Sequence, residues 1–245
     1  MSTSRKKQAW YPEAKDVLDL HFALVELFAT GPDPIAPAGQ RDLGLLESAC
    51  TRPRTSLGGI EKYKTVEEKG AALCHSLIKN HPFHNGNKRT GLVTLITFLW
   101  RNDRRFAVSV TDDEMFEMVL NVSRGTFVDS RDPDVIAREL AQWLRARTVA
   151  VNRKPRAMTI NDFLERCSRL GVMSKESGPS YIVYTRDHSI KISRSTKRLD
   201  PPVVRQFMNK LGLRDVTVPE FQAGVDEEQA ELRRFRGVLR RLAHV

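Results

Sequence analysis

The residue types best suited to chemistry in this chain fall in one short string, His81-Pro82-Phe83-His84-Asn85-Gly86-Asn87-Lys88-Arg89-Thr90. Together they supply what is needed to move a phosphate-containing group. His81 can take a proton from an attacking hydroxyl near neutral pH. Gly86 lets backbone approach an anion closely, and unpaired N–H groups at a helix start can hold phosphate oxygens. Lys88 and Arg89 add positive charge, the guanidinium with a fork suited to a bidentate grip. Two helices must frame this loop. Thr65-Val66-Glu67-Glu68 reads as a capping box, and Leu73, Cys74, Leu77 and Ile78 then share one helical face. Pro82 ends that helix by disfavouring α geometry in His81. A second helix starts near Asn87 and is apolar nearly all round through Trp100, which predicts burial at the centre of its domain. Phe83 is expected to anchor the loop into the core.

The string resembles the active-site motif of the Fic superfamily, and specifically of its death-on-curing (Doc) branch. The resemblance extends upstream through Leu45-Leu46-Glu47-Ser48-Ala49-Cys50, Arg52-Pro53, Gly58-Gly59, Glu68-Lys69 and Leu77-Ile78-Lys79-Asn80, and covers roughly residues 16–145. It implies an all-helical domain that uses ATP or another nucleoside triphosphate, with Mg²⁺, to modify a hydroxyl of a target protein. By the same resemblance His81 is the general base, and Asn85, Gly86, Asn87, Lys88 and Arg89 bind the phosphates. The segment 56–64, with Gly58, Gly59 and Ile60, matches the flap that aligns the target chain. It reads equally well as an ordinary solvated loop.

Two positions and one missing motif qualify this resemblance. Asn85 stands where family members usually carry a Mg²⁺-binding Asp or Glu. A neutral carbonyl oxygen is a poorer ligand for that hard cation, so the expected enzyme is active but demands more metal. Lys88 stands where adenylylating members most often have Gly and phosphorylating Doc toxins have Lys, which tilts the reading toward phosphoryl transfer and leaves adenylyl transfer open. The chain has no Glu-Gly or Glu-Asn pair, so the family's usual inhibitory glutamate motif is missing, and inhibition by a separate antitoxin in trans is expected. The alternative to a toxin acting on the translation machinery is a catalytically weak nucleotide-binding adaptor.

Composition fits this frame. The chain has 245 residues and a formal net charge of +10, enough for one large domain or two small ones. No apolar run is long enough for a bilayer, and Met1 to Lys7 leads into no apolar segment, so neither anchor nor signal peptide is expected. Three widely spaced cysteines, Cys50, Cys74 and Cys167, point to a reducing cytoplasm without disulfides or zinc.

The predicted architecture is mainly α: a Fic/Doc-type helical domain over 1–147, a linker at 148–157 and a small basic α+β domain over 158–245. In the first part, Pro12 opens a helix with His21 on its apolar face as a core histidine. Further helices run over 42–50, from an Asp112 cap, and from Asp132-Pro133. In the second, helices over 158–170, from Asp200 and from about Asp226 surround strands 180–185 and 189–194. From Arg156 onward the chain carries 17 Lys+Arg against 11 Asp+Glu, an excess of +6. Arg186, Lys191, Arg194, Lys197 and Arg198 are therefore candidate contacts to an RNA backbone, which is recognised electrostatically. A basic module facing a protein partner is the plainer reading.

Overall fold

The computed structural model describes residues 9–151, 154–214 and 216–245. The N-terminal basic string and Asn152-Arg153 of the expected linker lie outside them. The fold is mainly α, and the chain forms two compact units, residues 1–151 with 229–245 and residues 152–228.

The first unit opens with α1 (Ala14–Phe28) and α2 (Leu43–Thr51). Pro12 precedes the first helix without opening it. Its N-cap is Glu13, whose N–H donates to Asp16 Oδ2 at 2.8 Å. A 3₁₀ turn at Arg52–Arg54 leads into a hairpin of β1 (Ser56–Leu57) and β2 (Ile60–Glu61). Then come α3 (Val66–Lys79) and α4 (Asn87–Arg101), the two helices that flank the motif string. The capping box holds α3: Thr65 Oγ1 accepts from Glu68 N–H, and Glu68 Oε2 accepts from Thr65 N–H. Residues Gly91 to Trp100 of α4 are buried on every side. A Cβ at Gly91 would come within 2.8 Å of the Ile78 side chain, so the close approach of α3 and α4 needs glycine there.

Next come β3 (Arg104–Phe106), α5 (Asp112–Arg124), α6 (Pro133–Arg147) and β4 (Thr148–Ala150). Thr111, not Asp112, caps α5, because its hydroxyl takes Glu114 N–H and Glu114 reaches back to Thr111 N–H. Asp132 and Pro133 start α6 as expected. Part of the expected linker is structured, since β4 pairs antiparallel with β3, Phe106 opposite Thr148.

The second unit is an α+β fold: β5 (Met158–Thr159), α7 (Ile160–Arg169), β6 (Met173–Ser177), β7 (Ser180–Tyr184), β8 (Ser189–Ser193), β9 (Arg198–Leu199) and α8 (Pro201–Lys210). Strands β6, β7 and β8 form one antiparallel meander, and β5 pairs with β9. The strand β6 adds to the hairpin read from the sequence; all five of its residues are exposed, and no apolar alternation announced it. Val183, Ile190 and Ile192 of the sheet, Phe163 and Cys167 of α7 and Val204 and Met208 of α8 make this unit's own core.

The last helix starts at Val218, well before Asp226, as α9 (Val218–Arg234), and after Phe235 continues as α10 (Arg236–Arg241). From residue 229 it belongs to the first unit. Phe235, Val238, Leu239 and Leu242 are fully buried in that unit's core with Leu92, Leu95, Met115 and Leu140. The boundary of the accessory domain therefore falls at 228 and not at the chain's end. Of the +6 excess beyond Arg156, residues 229–245 carry +4, so most of that charge sits on the first unit. The partition is physical: apolar faces on α9 and α10 can be covered only where a complementary core exists.

Candidate functional site

The motif string folds as a loop between α3 and α4, and each residue has a defined place. Gly86 is the N-cap of α4 with φ 76°, the left-handed region. A side chain there would also press on Ile35 at 3.1 Å. Unlike α3, α4 has no side-chain cap hydrogen bond at its N-cap, so its positive end stays available to an anion. His81 also has a positive φ, 49°. Such a conformation costs a non-glycine residue on the order of 1 kcal/mol or more, and cores hold it where it serves a site.

Asn87 is a buried staple. Its Oδ1 accepts from Phe83 N–H and its Nδ2 donates to Phe83 carbonyl, both at 3.0 Å. The side chain expected to touch phosphate thus fastens the loop. Asn85 is also committed: Nδ2 donates to Ala36 carbonyl at 3.0 Å, and Oδ1 accepts from Gly86 N–H at 2.6 Å. Arg89 is 3% exposed. It donates from Nη1 to Asp33 carbonyl at 3.0 Å and lies over the Phe28 ring. Lys88 is the half-buried cation beside the cradle, its ammonium on Val245 carbonyl oxygen.

A cavity of about 230 Å³ is lined by His81, His84, Asn85, Gly86, Asn87, Lys88 and Arg89, with Leu242, Ala243 and Val245. Burial lowers the His81 pKa first, and the positive charges of Arg41, Lys79 and Lys88 lower it further. Near neutral pH the imidazole is therefore neutral and able to accept a proton.

What sequence reading missed is the segment behind the loop. Residues 29–42 carry no regular element apart from the Asp42 cap, yet they clamp the motif. Arg41 and Asp42 N–H both donate to Pro82 carbonyl, at 2.7 and 3.1 Å, and His84 N–H donates to Gly39 carbonyl at 3.2 Å. His21, 0% exposed, completes the clamp as the core histidine expected. Its ring stacks on Phe83 with centroids 4.1 Å apart. Nε2 accepts from Gly39 N–H at 3.1 Å, which leaves Nδ1–H to donate to Thr90 Oγ1 at 3.0 Å. Burial first, then Arg89, lowers its pKa to about 4. Only the three prolines of that segment hinted at a fixed path.

Gly58 and Gly59, with φ 58° and 79°, make the two-residue turn of the β1–β2 hairpin, the conformation glycine permits at both positions. Leu57 and Ile60 are 87% and 70% exposed at its tip. The base of the hairpin is fixed. Lys69 Nζ meets both Glu61 oxygens at 3.0 Å. Arg52 reaches Tyr63 Oη, His75 Nδ1 and Ser76 Oγ, each at 3.0 Å, and Asp134 Oδ1 at 3.2 Å. The Lys62 hydrogen bond foremost holds Asp134 down at a pKa of about 2.

The donor set is a poor match for magnesium. The string brings no carboxylate, the one amide oxygen of Asn85 already accepts a hydrogen bond, and no group of three or more metal-ligating side chains occurs among the described residues. These residues do not form a metal site of their own.

In the second unit Arg186, Lys191, Arg194, Lys197 and Arg198 are all exposed. Arg194 pairs with Glu176 at 2.9 Å, and Arg198 donates to Ala157 carbonyl at 3.2 Å. No described helix is long and apolar enough to cross a membrane.

Part of the chain is similar to known proteins. The Fic/DOC family profile matches residues 11–99. Toxin Doc of Mycolicibacterium smegmatis (strain ATCC 700084 / mc(2)155) is 36% identical over 106 residues, 43% of this chain and 78% of that protein.

Proposed function

The chain belongs to the Fic/DOC family, and from that premise we propose that it is a Doc-like toxin that transfers a phosphate-containing group from ATP to a hydroxyl of a target protein. The observation that carries this reading is the cavity where His81 faces the uncapped, glycine-started end of α4 beside Lys88. The α4 N–H groups and Lys88 bind the phosphates and stabilise charge that builds on them. The Lys88 ammonium favours transfer of the terminal phosphoryl group over AMP.

In the step itself the target hydroxyl oxygen forms a bond to phosphorus while His81 takes its proton. The phosphorus–oxygen bond to the leaving group breaks, releasing ADP in phosphoryl transfer or pyrophosphate in adenylyl transfer. Any magnesium ion would have to be held by the nucleotide's own phosphates, since the cradle's side chains bring no carboxylate. The β1–β2 hairpin aligns the target segment, its exposed Leu57 and Ile60 supplying apolar contact and its short strands a pairing edge. The target is expected in the translation machinery, and an antitoxin in trans is expected to restrain the protein.

The test is label transfer into bacterial lysate proteins from α- and γ-labelled ATP in parallel, with His81→Ala as control. Label from the γ position alone, lost in the control, supports phosphoryl transfer. Label from the α position means AMP transfer. Label that survives His81→Ala, or none from either nucleotide at high magnesium, refutes the assignment.

A further inference from the structure

We propose that residues 243–245 are a tethered occupant of the phosphate cradle and must leave it before a nucleoside triphosphate can bind; this rests on the nucleotide-transfer reading of the same cavity. The lining of the cavity carries the argument. The motif side is polar and cationic, as a phosphate requires. The rest of the lining is Leu242, Ala243 and Val245, whose apolar side chains offer a phosphate nothing. The Val245 carbonyl oxygen takes the Lys88 ammonium, a bond that a phosphate oxygen would otherwise accept. What remains beneath the segment, about 230 Å³, falls short of the ~300 Å³ at which pockets for ligands of drug-like size begin.

The seat is built and specific. Upstream, Phe235, Val238, Leu239 and Leu242 are locked in the core. The Arg234 guanidinium donates to the carbonyls of Phe106, Ala107, Val108 and Val110 at 2.7–3.2 Å. Arg241 pairs with Asp113 at 2.6 Å. These anchors hold α10 whether or not the last residues are seated. The last residues are held more lightly, by Lys88 and by His244 Nε2, 3.1 Å from Asp33 Oδ2. Asp33 is also the residue whose carbonyl holds Arg89, so one loop position ties down both the occupant and a cradle arginine. His244 is largely exposed, and a pair of that kind holds only weakly. Firm anchoring upstream and weak latching at the cradle are what a displaceable occupant needs. The occupant is held by a lysine and a histidine and not by the family's inhibitory glutamate.

The experiment compares the full chain, a chain lacking residues 243–245, and His244→Ala, with two readouts. Acylation of Lys88 by a soluble amine reagent, followed by mass spectrometry, reports whether the cradle is covered. Calorimetric titration with MgATP reports whether the cover competes. The shortened chain should label several-fold faster at Lys88 and bind ATP at least tenfold more tightly, and His244→Ala should shift both in the same direction by a few-fold. If the shortened chain melts lower, the His244→Ala comparison decides. Equal Lys88 labelling in all three forms overturns the inference. Faster labelling with unchanged ATP affinity also overturns it, because the segment then covers without competing. Weaker ATP binding on shortening overturns it too, by showing that the segment completes the site. If labelling rises but no form binds ATP, the nucleotide reading fails and takes the gating claim with it, while the seated segment stands.

Discussion

At the residue scale the proposed function turns on two residues, His81 and Asn85. His81 has a left-handed backbone and a lowered pKa, and the latter suits the general base proposed for it. Because the neutral imidazole is the active form, kcat/KM should be high above the His81 pKa and fall as pH drops through it. Since the shift is downward from 6.5, the midpoint of that acid limb should lie below 6.5. Lys79, fixed at Ser123 carbonyl and outside the cradle, is one of the charges that lowers it. Lys79→Met should therefore move the midpoint upward in a pH–rate profile; an unmoved limb would assign the titration to another group. Asn85→Asp tests the metal argument. A carboxylate supplies the anionic oxygen that magnesium prefers, so half-maximal rate should come at several-fold lower Mg²⁺. The same change turns the donor on Ala36 carbonyl into an acceptor and should cost roughly 1 kcal/mol of stability. A magnesium titration and a urea melt of the one variant read both effects.

At the scale of elements, α3 and α4 were legible because capping and periodicity are local signals, and Thr65, Glu68 and Gly86 sit where those signals place them. The roles of Asn87 and of residues 29–42 were not: the bonds of Asn87 to Phe83, four residues back, leave no periodic signal, and the clamp depends on pairings across the chain, His21 on Gly39 and Thr90. Those pairings can be weighed. His21→Ala leaves the Gly39 N–H and the Thr90 hydroxyl unpaired and removes the ring beneath Phe83. At about 1–3 kcal/mol for a buried unsatisfied group, a loss of about 2–4 kcal/mol is expected, read by chemical denaturation at pH 7. A change below 1 kcal/mol would mean that the clamp is not holding the loop. The hairpin makes a different prediction. Leu57 and Ile60 contribute almost nothing to folding at their exposure, so Leu57→Ser with Ile60→Ser should leave the melting temperature and ATP affinity unchanged. Modification of the target should fall tenfold or more. Equal labelling of the target would make the hairpin an ordinary surface turn.

At the scale of the whole molecule, the second unit interrupts the first instead of following it. A sequence reading places α9 and α10 with the elements that precede them, since nothing local says which core an apolar helix face will cover. Here Phe235 is 0% exposed, with its ring centroid 5.6 Å from Phe106, which in turn meets Trp143 at 6.3 Å. The three tryptophans of the chain, Trp10, Trp100 and Trp143, all belong to the first unit, so tryptophan fluorescence follows that unit alone. Truncating a buried phenylalanine costs about 3–5 kcal/mol. For a domain of this size each kcal/mol lowers the melting temperature by about 2–4 °C. Phe235→Ala should therefore lower the fluorescence-detected transition by about 6–20 °C. If residues 229–245 instead completed the second unit, the tryptophan transition would stay where it is and only a separate, tryptophan-silent transition, followed by circular dichroism, would move. The same logic reaches the cradle, because Phe235 is the first buried anchor of the segment that ends on Lys88. A loosened anchor should raise Lys88 acylation at temperatures well below the melt, where the first unit is still folded.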